Sequence, residues 1–301
     1  MSTRELLYIL SPSYSGSTLL TILLADHPRI ATVGELKASS MGDPGQYFCS
    51  CGSILCQCSF WSSVEQEMNA RARRFSLNRF GTHLRHDGRV FGQLATWEVR
   101  HSSFRCAGSW LLRAWPPFRS KLSAVLEQNR LLIDLITRIQ RGQIFLDASK
   151  DPERLVHFQK SSFWNIKAIH LMRDGRGVAN SYMKHNRVGM AAAVREWSLA
   201  DLACKRARAV LPQPNVLTVR YEDLCRNPRE MRNSIVRFAG LPAENNGNRS
   251  RSNLHILGNE MRLAASRDIR CDEKWRHELC AADLHIFEKA AGVANRENGY
   301  E

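Results

Sequence analysis

The sequence predicts an α/β fold in which helices cover both faces of a central parallel sheet. Two observations carry this prediction. Short apolar runs alternate with helical patterns along most of the chain, as a parallel sheet requires. The apolar run at residues 6–10 leads through a small-residue loop into an apolar-periodic run at 19–25, which is a strand–loop–helix pattern. The chain has 301 residues, and we assign residues 1–301 to a single domain.

Five strands are predicted, at residues 6–10, 29–33, 144–148, 166–172 and 216–220. Helical patterns follow the first, third, fourth and fifth strands, and a last helix is predicted at about 282–291. A mostly helical insertion is predicted at about residues 60–141. Its helical pattern breaks at Trp115-Pro116-Pro117, because proline cannot continue a helix. We find no signal-peptide pattern and no apolar run near the ~18 residues of a membrane span, so we expect a cytoplasmic protein.

The formal net charge of +14 indicates an anionic ligand or partner. Residues 71–141 hold thirteen arginines and one lysine against four acids, a local excess of ten positive charges. Such a segment forms either a solvated basic helix face or a surface that steers an anion or binds an acceptor. The chain carries no recognised nucleic-acid-binding signature, so we expect no nucleic-acid partner.

The loop at residues 11–18, SPSYSGST, has the features of an anion site. Between a strand and a helix, backbone N–H groups and the positive end of the helix dipole point at one spot. Gly16 lets the backbone approach a ligand closely. The predicted phosphate-binding residues of the loop are Ser13, Tyr14, Ser15, Gly16, Ser17 and Thr18. A plain strand–helix connection would use similar residue types.

This loop departs from the nucleoside-triphosphate motif G-x-x-x-x-G-K-[ST]. Ser17 stands where that motif has the lysine that reaches the β- and γ-phosphates, and Ser11 stands at its first glycine. The missing lysine argues against hydrolysis of ATP or GTP.

A second anion anchor follows the fourth strand. Arg173 ends that strand, and Ser181 lies eight residues on, in the next helix. An arginine presents a bidentate fork to a phosphate, and a serine adds a hydroxyl donor. Two separate anchors suit a nucleotide that carries phosphates at two ends. The alternative is that Arg173 caps the strand and Ser181 packs in the helix.

These segments together resemble the sulfotransferase family that uses 3′-phosphoadenosine 5′-phosphosulfate (PAPS). SPSYSGSTLL is similar to the family's 5′-phosphosulfate loop and RDGRGVANS to its 3′-phosphate motif, and VRYEDLCRNP, HILGNEMR and DEKWRHEL follow in the family's order. The resemblance covers the sheet and the C-terminal region but not residues 60–141. It implies a P-loop-NTPase-like sulfotransferase fold and transfer of a sulfuryl group from PAPS to a hydroxyl or amine, with no metal in the chemistry.

Tyr14 is the clearest departure from the family's pattern. Many members carry lysine or arginine immediately before the Ser-Gly of the loop, and that cation helps to neutralise the phosphosulfate as the bond breaks. The resemblance implies Lys150 as the replacement, because tyrosylprotein sulfotransferases have a similar K-D-P segment whose lysine acts near the sulfuryl group. The alternative is that Lys150 is simply an exposed cation before a helix and has no role in the chemistry.

Glu35, at the end of the second strand, is the candidate base, since several relatives use a glutamate from this region. The alternative is that Glu35 pairs with Lys37 or a nearby arginine. By resemblance the C-terminal segment folds over the nucleotide, so Asn259 and Arg262 are predicted to contact it, with Arg262 as a second cation for the 3′-phosphate. Trp275 packs either near the adenine or, as is commoner for this residue type, in the core.

One polar loop contains Cys49, Cys51, Cys56 and Cys58, with the spacing C-x-C-x4-C-x-C. Four such thiols form a zinc site, a disulfide or redox-sensitive loop, or a set of reduced structural thiols. C-x-C pairs are less typical of zinc sites than C-x-x-C pairs, and the three interpretations stay open at this point.

Two other functions also stay open. A nucleotide or small-molecule kinase of related fold would turn over ATP with Mg²⁺ and have no affinity for adenosine 3′,5′-bisphosphate. A catalytically silent nucleotide-binding module would bind the bisphosphate and transfer nothing. Small molecules, carbohydrates, lipids and peptides are all open as acceptors, and so is the oligomeric state.

Overall fold

The computed structural model describes residues 4–38, 41–71, 75–84, 116–243, 253–263 and 269–301. Within these ranges the chain forms a five-stranded sheet. Its strands are β1 (Arg4–Leu10), β2 (Ile30–Thr32), β3 (Ile144–Lys150), β4 (Trp164–Met172) and β5 (Val216–Arg220). The order is β2-β3-β1-β4-β5, and every neighbouring pair is parallel. The five predicted strands and the α/β fold class are therefore confirmed.

Helices follow and flank these strands in the described part of the chain. They are α1 (Ser17–Ala25), α2 (Ser59–Ala70), α3 (Pro116–Ile139), α4 (Pro152–Ser161), α5 (Gly175–Asn186), α6 (Met190–Arg208), α7 (Tyr221–Arg226), α8 (Pro228–Phe238), α9 (Trp275–Glu278) and α10 (Ala281–Glu297). Short 3-10 turns occupy Leu55–Gln57, Gln213–Asn215 and Glu260–Leu263. None of the described helices combines the length and the apolar composition needed to cross a membrane.

The predicted insertion is helical at both of its ends. α2 covers its start, and α3 begins at Pro116, at the proline pair where the sequence predicts a break. Residues 85–115 lie outside the described residues. Arg130 of α3, one of the basic residues of this segment, forms ion pairs with Glu127 and Asp134 at 2.6 and 3.2 Å, which neutralise part of its charge locally.

Alternate residues of β1 pack on opposite faces of the sheet. Leu6, Tyr8 and Leu10 lie in a core with α2, α3, α4 and α6, whereas Leu7 and Ile9 lie in a second core with α1 and α8. All five side chains are at most 1% exposed. This burial on both sides confirms that helices cover both faces, as expected for a parallel sheet.

An extra residue near the end of β3 sets the position of Lys150. Tyr8 is paired with Asp147 and Leu10 with Lys150, so β3 takes three steps where β1 takes two. A bulge of this kind re-aims the following side chain. Lys150 also has a φ of 63°, in the left-handed region that few residues other than glycine adopt. Lys150 therefore lies beside the last residue of β1, where the loop at 11–18 begins.

A buried ion pair anchors this end of β3. Nε of Arg154, on α4, donates to Oδ2 of Asp147 at 2.8 Å, and the two side chains are 1% and 0% exposed. Nη1 of Arg154 donates to the carbonyl of Thr82 at 2.8 Å, and Nη2 donates to Oδ1 of Asn129 at 2.6 Å. Oδ1 of Asp147 accepts the N–H of Ser149 at 2.9 Å. One buried guanidinium thus ties the strand, the following helix and the insertion together.

The loop before α1 depends on a glycine in the left-handed conformation. Gly16 has a φ of 87°, and a Cβ placed on it would lie 2.4 Å from Cδ2 of Tyr221. Tyr221 is the first residue of α7, directly after β5. Its ring packs on the backbone of the loop at a distance that leaves no room for a side chain on Gly16.

We predict that Arg154→Ala lowers the free energy of unfolding by about 3–5 kcal/mol, because the Asp147 carboxylate is left buried without its partner. The control is Arg226→Ala, which removes an exposed ion pair with Asp223 and should cost less than about 1 kcal/mol. Urea unfolding followed by circular dichroism measures both. Equal costs for the two variants would contradict the anchoring role of Arg154.

We also predict that Gly16→Ala costs more stability than Gly42→Ala. Both glycines have a positive φ, at 87° and 63°, so both variants carry the strain of about 1–2 kcal/mol that alanine meets in the left-handed region. A Cβ on Gly42 would have no atom within 4 Å, whereas a Cβ on Gly16 would collide with Tyr221. The same unfolding experiment compares them, and an equal loss would mean that Tyr221 does not restrict the loop.

Candidate active site

The loop at residues 11–18 places buried hydroxyl groups at the carboxyl end of β1. Ser11, Ser15 and Ser17 are at most 5% exposed. The hydroxyls of Ser11 and Ser15 have no hydrogen-bond partner among the described residues. An unpaired buried hydroxyl costs about 1–3 kcal/mol, which a bound ligand would recover. The first N–H groups of α1 also lack acceptors within the helix, so loop and helix together have the donors that an anion site needs.

Tyr14 contributes packing to the site rather than charge. Its ring stacks on His185 of α5 with centroids 5.0 Å apart and planes 7° from parallel. Its hydroxyl accepts a hydrogen bond from Nδ2 of Asn186 at 3.2 Å. Of the other predicted loop residues, Ser13 is exposed and Thr18 is half-buried. Tyr14, which stands where many members of the resembled family have the loop cation, therefore packs against α5.

Arg173 joins the loop to the C-terminal region. Nη1 donates to the carbonyl of Tyr14 at 2.8 Å, and Nη2 donates to the carbonyl and to Oδ2 of Asp272 at 2.6 and 3.1 Å. The guanidinium also stacks on the ring of Tyr221, 4.7 Å from its centroid. The structure therefore brings Arg173 into direct contact with the predicted phosphate loop.

Ser181 is connected to Arg173 through Gly177. The Ser181 hydroxyl donates to the carbonyl of Gly177 at 3.0 Å, one turn back along α5. A Cβ on Gly177 would lie 3.1 Å from both Nε of Arg173 and Cδ1 of Trp275. Trp275 itself is buried in a hydrophobic cluster with Phe287, which agrees with the core alternative for this tryptophan.

Glu35 and Lys150, which the sequence analysis assigned separately, form an ion pair. Nζ of Lys150 donates to Oε1 of Glu35 at 2.6 Å, and the two side chains are 15% and 11% exposed. The partner of Glu35 is thus Lys150, where the sequence left Lys37 or an arginine open. An ammonium group has three N–H donors, so Lys150 holds Glu35 and keeps donors for an anion.

The C-terminal segment supports Glu35 from outside the sheet. The N–H of Glu35 donates to the carbonyl of Leu257 at 3.2 Å, and the N–H of Leu257 donates to the carbonyl of Val33 at 2.8 Å. Gly258 follows with a φ of 127°, and a Cβ on it would lie 2.9 Å from Oε1 of Glu35. A glycine is therefore required where this segment covers the candidate base.

Arg262 and Asn259 make contacts within the protein. Arg262 is buried, and it donates from Nε and Nη2 to the carbonyl of Phe48 at 3.1 and 2.7 Å and stacks 4.1 Å from the centroid of the Tyr47 ring. Oδ1 of Asn259 accepts the N–H of Met261 at 3.0 Å. Arg262 joins the C-terminal segment to the cysteine loop, and the contacts of both residues with a nucleotide stay predictions.

Three of the four loop cysteines gather around His255. Sγ of Cys58 lies 3.4 Å from Nδ1 of His255 and 3.6 Å from Sγ of Cys51, and Sγ of Cys49 lies 3.8 Å from the same nitrogen. Cys56 is exposed and lies outside this group. The hydrogen bond from Cys49 lowers the pKa of the Cys58 thiol, and the one from His255 acts in the same direction.

Three residues to which the sequence analysis gave no role lie against those it named. Tyr221 covers Gly16, Asp272 binds Arg173, and His255 completes the cysteine group. The position of Tyr221 directly after a strand was a usable signal, because ligands in parallel sheets bind at the carboxyl ends of strands. Asp272 and His255 each begin a segment that resembles the family, but they lie far along the chain from their partners, and nothing local indicates that they contact Arg173 or the cysteines.

The site combines an anion-binding loop, an ammonium group and a carboxylate at one edge of the sheet. The loop and the start of α1 offer N–H and hydroxyl donors to an anion, and Lys150 adds a positive charge beside them. Glu35 is placed to accept a proton. Such a set fits the transfer of an anionic group from a phosphorylated donor to a nucleophile that loses a proton.

Comparison with solved structures shows the same fold. The sulfotransferase domain of the Synechococcus PCC 7002 olefin synthase is similar with a TM-score of 0.52 at 20% identity, over 97% of this chain and 96% of that one. The sulfotransferase domain of the curacin biosynthetic pathway gives 0.48 at 17% identity over 100% and 99%. A sulfotransferase from Mycobacterium avium gives 0.49 at 11% identity over 100% and 78%. The fold assignment rests on the first of the three. A search of curated proteins found no match.

A family model described as the sulfotransferase family matches residues 67–245, which is more than half of the chain. The match includes Lys150, Arg173 and Ser181, while Glu35 and the loop at 11–18 lie before it. It also extends through most of the insertion, which the motif resemblance did not cover. Together with the order and parallel arrangement of the strands, this match shows that the chain belongs to the sulfotransferase family and has its P-loop-like fold.

Proposed function

We propose that this sulfotransferase moves the sulfuryl group of PAPS to a hydroxyl or amine of its acceptor. The observation that carries the proposal is the ion pair between Lys150 and Glu35 beside the anion-binding loop. Lys150 is paired in register with Leu10, the last residue of β1, so a cation and a proton acceptor lie together where the loop begins. Membership of the family supports PAPS as the donor.

In this proposal the loop binds the 5′-phosphosulfate. The N–H groups at the start of α1 and the Ser15 hydroxyl donate to its oxygens, since Ser15 is buried and has no other partner among the described residues. Arg173 and Ser181 bind the 3′-phosphate, with Arg262 as a second cation. The phosphate displaces the Asp272 carboxylate from Arg173, because a guanidinium binds a phosphate in bidentate fashion.

The chemistry needs one bond to form and one to break. The acceptor oxygen or nitrogen attacks sulfur in line, the bond between sulfur and the bridging phosphate oxygen breaks, and adenosine 3′,5′-bisphosphate leaves with that electron pair. Lys150 neutralises the negative charge that grows on the bridging oxygen, and Glu35 takes the proton of the acceptor. Lys150 thereby takes the role of the loop cation, whose place Tyr14 occupies.

The acceptor is a small molecule, carbohydrate, lipid or peptide that carries a hydroxyl or amine. The kinase alternative is disfavoured by family membership and by Ser17, which stands where a nucleoside-triphosphate loop has its lysine. We include a cytoplasmic location in the proposal. Its support is that the eight cysteines in the described residues carry free thiols, as is usual in a reducing compartment.

We predict that Lys150→Ala weakens the binding of PAPS more than that of adenosine 3′,5′-bisphosphate, which has no sulfuryl group. Loss of a hydrogen bond to a charged group should raise the dissociation constant of PAPS by roughly tenfold or more. Fluorescence titration with each nucleotide, under conditions without acceptor, gives the ratio of the two constants. The matched control is Lys289→Ala, which removes an exposed lysine of α10 and should change neither. If Lys150→Ala has the same ratio of dissociation constants as the wild type, Lys150 does not contact the sulfuryl group.

A further inference from the structure

The cysteine loop and His255 bring four potential metal ligands together. The three sulfurs of Cys49, Cys51 and Cys58 and a ring nitrogen of His255 all lie within 4.8 Å of one another. In a tetrahedral zinc site, Zn–S bonds of about 2.3 Å and Zn–N bonds of about 2.0–2.1 Å place two sulfurs about 3.8 Å apart and sulfur about 3.6 Å from nitrogen.

Three of the six separations between the ligand atoms are close to these tetrahedral distances. Cys51 and Cys58 are 3.6 Å apart between sulfurs, Cys58 is 3.4 Å from Nδ1 of His255, and Cys49 is 3.8 Å from that nitrogen. The remaining separations are at most 4.8 Å, so the four atoms are close enough together to surround a single zinc ion.

We propose that Cys49, Cys51, Cys58 and His255 bind one Zn²⁺ ion in a structural site, with Nδ1 of His255 as the nitrogen ligand. Three thiolates and one imidazole in a tetrahedron are a ligand set and a geometry that favour zinc. Four protein ligands leave no open coordination position, so this ion takes no part in group transfer. The proposal does not depend on the proposed function.

The backbone around the first two cysteines forms a tight turn that holds both sulfurs in the group. The N–H of Cys49 donates to the carbonyl of Ser53 at 2.9 Å, and the N–H of Gly52 donates to the carbonyl of Cys49 at 3.0 Å. Gly52, directly after Cys51, has a φ of 94°, which the turn requires.

The other two ligands are held by α2. Cys58 is the N-cap residue of this helix, where the helix dipole favours a thiolate. Phe60, in the first turn of α2, stacks on the imidazole of His255 with centroids 4.3 Å apart and planes 2° from parallel. The stacking fixes the plane of the ring while Nδ1 faces the sulfurs.

The other interpretations of the loop fit the geometry less well. A disulfide needs about 2.05 Å between sulfurs, and Cys51 and Cys58 are 3.6 Å apart. Reduced thiols that only fill space have no need of a histidine from 197 residues along the chain. The fourth member of the group is His255, whose ring nitrogen faces the sulfurs, and not the exposed Cys56 of the same loop. A ring nitrogen in this position indicates a metal ligand.

The ion would join two segments that meet at the active site. The Ser50 hydroxyl already donates to the carbonyl of Leu254 and accepts the N–H of Ile256, both at 2.7 Å. The same C-terminal segment carries Gly258, which packs on Glu35. A zinc ion here therefore stabilises the support of the candidate base without contacting it.

Elemental analysis of the purified full chain tests the proposal. We expect about one zinc ion per chain in the wild type and in Cys56→Ser, which removes a loop cysteine outside the group. Cys58→Ser and His255→Ala are expected to retain less than about a tenth of that amount. A wild type that stays without zinc after dialysis against excess Zn²⁺, or equal zinc in Cys58→Ser and Cys56→Ser, would overturn the site.

A second measurement does not depend on the folding of any variant. The wild-type chain is stripped with a chelator under reducing conditions and titrated with Co²⁺. We expect intense visible d–d bands and thiolate-to-cobalt charge-transfer bands that saturate at one ion per chain and disappear when Zn²⁺ is added. The weak spectrum of octahedral cobalt would refute the proposal. So would bound iron, or a disulfide within the group, in freshly isolated protein.

Discussion

The buried ion pair between Asp147 and Arg154 fixes the strand end on which the candidate active site depends. Besides Arg154, Asp147 binds the N–H of Ser149, and the Ser149 hydroxyl accepts the N–H of Lys37 at 3.0 Å. One carboxylate thus positions the backbone just before Lys150 and, through Ser149, the backbone just after Glu35. Burying this charge is tolerable only because Arg154 pairs with it and finds acceptors for its other nitrogens.

Two of the three cations that we assign to donor binding are each held by a carboxylate. Lys150 pairs with Glu35, and Arg173 pairs with Asp272. These pairs keep the cations ordered at the loop, but they differ in burial. The Glu35–Lys150 pair is largely buried, whereas the side chain of Asp272 is 42% exposed and can turn towards water. In the function that we propose, Asp272 therefore yields to a phosphate, while Glu35 stays beside the reacting group as base.

The sheet, the loop before α1 and the position of Arg173 directly after β4 were predictable, because their signals are local: apolar runs, small residues before a helix, and an arginine at a strand end. The bulge that brings Lys150 beside Leu10 was not predictable, because the pairing register of β1 and β3 depends on both strands at once. The roles proposed for Glu35 and Lys150 came from the resemblance to the sulfotransferase family, but that resemblance did not predict that the two side chains form an ion pair. The cysteine loop was visible too, yet His255 joins it across most of the chain by tertiary packing.

Isothermal titration calorimetry with adenosine 3′,5′-bisphosphate and with ATP tests most directly the claim that the loop and Arg173 bind a nucleotide phosphorylated at two ends. We expect the bisphosphate to bind without Mg²⁺. ATP should bind at least about tenfold more weakly, because it has no 3′-phosphate for Arg173. No binding of the bisphosphate, or an equal affinity for ATP, would contradict this account.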